Sequence, residues 1–356
     1  MIRFTFLIWL IFAYSNSLAQ NAAHYVDSIR KRYHIPELSY AVVSSDSVLE
    51  IKALGVRKIH SGLSASLSDR YRIGSNTKAI TGFIAAMLVH EGKLSWDTIF
   101  FDLFPEMKLR SRKEYYNATL LDLLTFRTKL KKYTYTDTKP TRNQFHGNEA
   151  AQRTQFISWF LSQPPVQSHD TLCFTNVGYV AVGLMLGRAS GISYKQLVND
   201  LGEHLGINFG FGQPNATSAL QTWGHNSTLT PEPPSINYKL NWLLAAGNIN
   251  VTLPDYIKFI QLQLKGLHGR SDLLSEEDFN FLHYGLPVFS IGWFHELDEN
   301  NNPFSYNIGN PGSFLSMVYV FKNANKAIII FSNAQTDDAE RGMNNVLSEL
   351  KKTYKL

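Results

Sequence analysis

The sequence predicts a two-lobed α/β (α+β) protein. One antiparallel sheet would be built from both chain ends and flanked by the terminal helices, with a mostly helical lobe between. Three observations point there. Alternation of apolar and polar residues at period two is confined to residues 38–59 and to the stretch after residue 288. Between those stretches apolar residues recur at helical spacing or give way to loops. The chain has 356 residues, 44% hydrophobic and 18% charged, which supplies one large core and argues against disorder.

The elements follow in order. Arg3, an apolar run from Phe4 to Tyr14 and the small-residue exit Ser17-Leu18-Ala19 form a secretory signal pattern. Residues 1–19 are therefore expected to be removed and residues 20–356 exported, as a periplasmic or secreted protein. No later run approaches the roughly 20 apolar residues of a spanning helix, so no transmembrane segment is expected once the signal is gone. Residues 21–33 read as a short amphipathic helix. Leu38 to Ile59 reads as a β-hairpin turning at Ser44-Ser45-Asp46-Ser47. Ser75 to Glu91 reads as a helix, with Ile80, Phe83, Ile84, Met87 and Leu88 at helical spacing and Gly92 as its stop. The β pattern returns at Phe289–His295, Ser316–Phe321 and Ala327–Ser332, with Asp298 to Asn302 as a polar turn, and Asp337 to Tyr354 is a final helix. The sheet lobe is thus expected at about 20–70 and 286–356, and the helical lobe at about 71–285.

Several chemistries are excluded or unsupported. The net charge of +5 is mild and no Lys/Arg tract forms a nucleic-acid arm. Cys173 is the single cysteine, so neither an intramolecular disulfide nor a cysteine-based metal site can form. Eleven histidines show no His-x-His or His-Glu-x-x-His pairing, so neither metal nor cofactor is expected.

What remains is nucleophilic chemistry. Ser-x-x-Lys on a helix sets a hydroxyl and an amine on one face, one turn apart. A desolvated lysine can lose its proton and then accept the serine's. The pattern occurs three times, at Ser28/Lys31, Ser75/Lys78 and Ser348/Lys351. The first and last lie in charged terminal helices and read as surface pairs. Ser75 opens an apolar helix, where free backbone N–H groups and the local field suit a developing oxyanion. Read alone, a serine there is more often a helix cap.

The surroundings change that weighting. Tyr71-Arg72-Ile73-Gly74-Ser75-Asn76-Thr77-Lys78, followed by His90-Glu91-Gly92-Lys93-Leu94, closely resembles the penicillin-recognising serine hydrolases: class C β-lactamases, DD-peptidases and related esterases. Phe174-Thr175-Asn176 resembles their Tyr-x-Asn motif. Asn307-Ile308-Gly309 falls on their third motif, usually Lys-Thr-Gly or His-x-Gly. Leu121 to Thr125, Gln221 to His225 and Ala246-Gly247-Asn248 match further family elements in order, along nearly the whole chain after the signal.

The resemblance implies a β-lactamase/transpeptidase-like fold. It implies Ser75 as the acylated nucleophile, Lys78 as its proton partner and Asn176 as a support for Lys78 and substrate. The oxyanion hole would be the backbone N–H of Ser75 and of Asn310, after Gly309. The partner would be a small-molecule or peptide substrate. Nothing fixes an oligomeric state. The chain departs from the family in two places. Phe174 replaces the tyrosine whose phenol relays protons, and phenylalanine cannot do so. Asn307 replaces the third-motif cation; a slip of one residue would put Tyr306 there instead, but the register with Asn307 keeps Gly309 aligned. The loop after Thr125 also runs Phe126-Arg127-Thr128-Lys129 and brings Lys129, Lys131 and Lys132 near the site. Two readings follow: a serine hydrolase acting on an amide, ester or β-lactam-like substrate with weakened activity, or a pseudo-enzyme that binds a peptidoglycan-like or small-molecule ligand.

Overall fold

The computed structural model describes residues 22–234 and 238–356; the expected signal, residues 1–19, lies outside them. Nine strands are described: β1 Glu37–Ser44, β2 Val48–Gly55, β3 Arg70–Arg72, β4 Gly210–Phe211, β5 Ile249–Thr252, β6 Phe294–Leu297, β7 Pro303–Gly309, β8 Leu315–Phe321 and β9 Lys326–Ser332. Six form one sheet in the order β2-β1-β9-β8-β7-β6, with every pair antiparallel. Its middle joins the first strand to the last, with Leu38 opposite Ser332 and Ser44 opposite Lys326. The other three make a small sheet, β3-β5-β4.

Alternation along the strands sorts side chains to two cores. Leu38, Tyr40 and Val42 of β1 and Ile328 and Ile330 of β9 share one face with Val26 and Ile29 of the first helix, residues 22–32, and with Met343, Val346 and Leu350 of the last. Ala41, Val43, Ile329 and Phe331 face the other way, into the core shared with the helical part. The last helix, Asp337–Tyr354, is set at both ends. The Thr336 side chain accepts the Ala339 N–H, Asp337, Asp338 and Glu340 fill the first turn, and Lys351 and Lys352 the last.

The helix Thr77–His90 follows a 3-10 turn at Gly74–Asn76. It is apolar almost all round, and Thr77 to Ala86 are buried without interruption. That suits a central helix. It packs against Asn176–Ser190 and the short helix Leu244–Gly247.

The sequence reading needs correction in three places. Residues 289–293 are not a continuous strand; Phe289 makes only an isolated bridge to Phe294, Gly292 at φ 85° breaks the alternation, and the strand begins at Phe294. The small sheet leaves no periodic signal in the sequence, because its strands of two to four residues are too short to show one. The helix Leu253–Gly266, grouped with the helical lobe, packs on the inner face of the large sheet, against β1 and β9.

Candidate active site

The Ser75 segment enters the site between the two sheets. Ile73 donates its N–H to Ile249 O (3.1 Å), which continues the β3–β5 pairing. On the other side β7 ends against it, and the Ser316 hydroxyl of β8 donates to Ile73 O (2.8 Å). The approach is so close that a Cβ on Gly309 would lie 2.0 Å from Ile73 O, so this position admits only glycine. Gly74 turns at φ 50°, and the Asn310 nitrogen lies 2.9 Å from where a Gly74 Cβ would be. The Asn310 amide is thereby brought beside the segment that leads into Ser75.

Lys78 stands one turn on from Ser75, 4% exposed. Its Nζ reaches Ser75 Oγ at 2.9 Å, Asn176 Oδ1 at 2.8 Å and Ala246 O at 2.9 Å. Burial away from water lowers its pKa from 10.5 to about 7. The neutral amine has two N–H donors and one lone pair. Donating to Asn176 and Ala246 leaves the lone pair for the Ser75 hydroxyl. Among the described residues, Lys78 is the side chain hydrogen-bonded to Ser75 Oγ. Asn176 begins its helix, and its Nδ2 donates to Tyr133 O at 2.9 Å. The loop carrying Tyr133 is fastened again where Thr175 Oγ1 donates to Lys131 O (2.8 Å).

Asn307 and Tyr306 point to opposite faces of β7, as neighbours in a strand must. Asn307 is buried, and its Nδ2 donates to Ser75 O (3.3 Å) and Gly292 O (2.6 Å). Both amide hydrogens are thus taken by backbone carbonyls. Tyr306 stacks on Tyr319 and donates its hydroxyl to Glu296 (2.7 Å), away from Ser75.

A cavity of about 260 Å³ opens over Ser75 and Lys78. Asn176, Thr134, Asn307 and the exposed Lys132 give it polar edges. One wall is aromatic: Phe174, 43% exposed, touches Phe126 (5.0 Å) and Phe294 (5.5 Å), with Phe289 behind them. Of the loop lysines, Lys132 lines this cavity, whereas Lys129 donates to Ser168 O.

The structure therefore gathers Ser75, Lys78, Phe174, Asn176 and Asn307 around one cavity, sets Gly309 and Asn310 beside the Ile73–Gly74 backbone that leads into Ser75, and turns Tyr306 to the other face of β7. Ser28 and Ser348 are exposed and bonded to carbonyls of their own helices. His225 is buried between Asn333 O and the Ile59 N–H and serves the fold. Sequence reasoning missed the carbonyls of Ala246, Tyr133 and Gly292, since any residue type presents a carbonyl. It also missed Phe126, Phe289 and Phe294, the rings that join Phe174 in the aromatic wall. Among the described residues no cluster of His, Cys, Asp and Glu fits a metal ion, and no helix is long and apolar enough to cross a membrane.

Comparison with known proteins agrees in extent. Protein flp of Staphylococcus aureus strain MW2 is 22% identical over 332 residues, 91% of this chain and 64% of that protein. The chain thus spans less than two thirds of the length of that relative. Among solved structures, a beta-lactamase from Sulfitobacter sp. EE-36 superposes with a TM-score of 0.75 at 18% identity, covering 95% of this chain and 99% of its own. The D-alanine carboxypeptidase AmpC from Burkholderia cenocepacia gives 0.73 at 16%, covering 94% and 99%. An octameric penicillin-binding protein homologue from Pyrococcus abyssi gives 0.73 at 18%, covering 89% and 73%. These likenesses show a shared fold. The profile of the Beta-lactamase family matches residues 18–351, nearly the whole chain, and on that match the chain belongs to the beta-lactamase family.

Proposed function

We propose that this protein is an exported serine hydrolase that works through an acyl-Ser75 intermediate on an amide, ester or β-lactam-like carbonyl. One observation carries the reading: a buried Lys78 amine, its pKa lowered to about 7, lies 2.9 Å from Ser75 Oγ and is held there by two acceptors, Asn176 Oδ1 and Ala246 O. Neutral Lys78 takes the Ser75 proton as Oγ attacks the carbonyl carbon. Negative charge gathers on the carbonyl oxygen, facing the backbone N–H groups of Ser75 and Asn310. The adduct then collapses, and Lys78 returns the proton to the leaving group. Water attacks the acyl-serine in the second half, again with Lys78 as the proton carrier. Phe174 offers no hydroxyl, so one amine does work that two groups would share. General acid–base groups contribute about 10²–10⁴-fold in rate, so slow turnover is expected.

That same missing phenol favours a second reading, a binding protein that keeps the pocket and has lost turnover. Intact mass after incubation with a panel of β-lactams and activated esters decides between them. The hydrolase gains the acyl mass at Ser75 and loses it with time; Ser75→Ala gains none. A parent that never labels, yet binds ligand as well as Ser75→Ala does, is the binding protein.

A further inference from the structure

Arg72 is an odd residue to find inside a protein. It is 1% exposed and makes no salt bridge among the described residues; its Nε and Nη2 lack a hydrogen bond of good geometry, and the groups that favour its charge are Tyr135 and Glu232. An apolar side chain of similar volume would ordinarily serve stability as well or better than a buried charge. The bonds it does make run to the two sides of the site. Nη1 donates to Pro311 O at 3.0 Å, one residue beyond Asn310. Its guanidinium lies 5.2 Å over the Tyr135 ring, and the Tyr135 hydroxyl donates to Gly247 O at 2.9 Å, next to the Ala246 carbonyl that holds Lys78. Its own backbone is β3, paired with Asn250 of β5, three residues before Ser75.

We propose that Arg72 is a positioning residue for the oxyanion site. It fastens the turn that follows Asn310 to the strand that leads into Ser75, and so sets the spacing between the two backbone N–H groups that face the carbonyl oxygen. The Tyr135 contact ties the Lys78 side of the cavity to the same strut. This inference rests on the hydrolase reading and adds a residue that does not touch substrate. A misplaced donor costs less than a deleted one, and deletion of one oxyanion donor costs about 10²–10³-fold. Loss of the strut is therefore expected to slow acylation by roughly 10–100-fold.

The test compares the parent with Arg72→Met, Arg72→Gln and Arg72→Lys. Three quantities are measured: the rate of covalent labelling by an activated ester, the affinity for an arylboronic acid (which forms a tetrahedral anion on a serine oxygen), and the melting temperature. The expected result is labelling roughly 10–100-fold slower in Arg72→Met, boronate affinity reduced by a similar factor, and melting unchanged or raised, with Arg72→Lys partly restored. A folded Arg72→Met or Arg72→Gln that labels within about twofold of the parent overturns the proposal and leaves the hydrolase reading standing. So does unfolding of all three variants, which makes Arg72 a folding residue. A parent that does not label at all overturns the hydrolase reading first, and this inference with it.

Discussion

Lys78 sets the pH behaviour at the scale of single residues. In the proposed mechanism its base form takes the Ser75 proton, and burial lowers its pKa to about 7. The acylation rate should fall about tenfold per pH unit below that value and level off roughly one unit above it. A labelling rate flat from pH 5 to 9 would remove Lys78 as the base. Phe174 gives a second test. Its ring is 43% exposed in the cavity, so a hydroxyl there meets solvent and costs little stability. Phe174→Tyr restores a phenol beside Ser75 and should raise turnover of the best ester by roughly 10–100-fold, with the melting temperature unchanged. Ser75, Lys78 and Asn176 were legible because their side-chain chemistry is the motif. The saturation of Asn307 was not, since it depends on where Gly292 and Ser75 put their carbonyls.

Elements were read best where a cap or a period had room to show. The helix Asp337–Tyr354 carries both signals and begins and ends where its sequence says. Thr336→Ala removes its cap and should cost about 1 kcal/mol, read as a lower denaturant midpoint with ester turnover unchanged. The hairpin β1–β2 was likewise plain from alternation and its serine turn. Residues 289–293 misled because buried Phe289, Ile291 and Trp293 imitate a strand, while the left-handed Gly292 turns the backbone out of one. The Leu253–Gly266 helix shows its apolar stripe, but a stripe does not say which surface will cover it.

The whole molecule has a pH response of its own. Glu37 opens β1, its carboxyl buried against Tyr71 and Asp69, and Asp69 is itself paired with Arg57 at 2.6 Å. Burial, then the neighbouring Asp69, raises the Glu37 pKa well above 4.5. The folded state therefore holds a proton that the unfolded chain releases. This group's stabilisation is complete below about 4.5 and drains away as pH climbs through the raised value. Melting temperature should fall from pH 5 to 8 more steeply in the parent than in Glu37→Gln; parallel curves would show that the carboxyl does not titrate on unfolding. The two-lobed plan itself was visible because β patterns cluster at both chain ends. That same arrangement governs when the site comes into being. Leu38 meets Ser332 in the middle of the sheet, and Asn307 braces Ser75 across 232 positions. A ribosome adding about 5–20 residues per second needs roughly 10–50 s between the two. For that interval the segment around Ser75 lacks its brace, and the candidate site is complete only once β7 has been made.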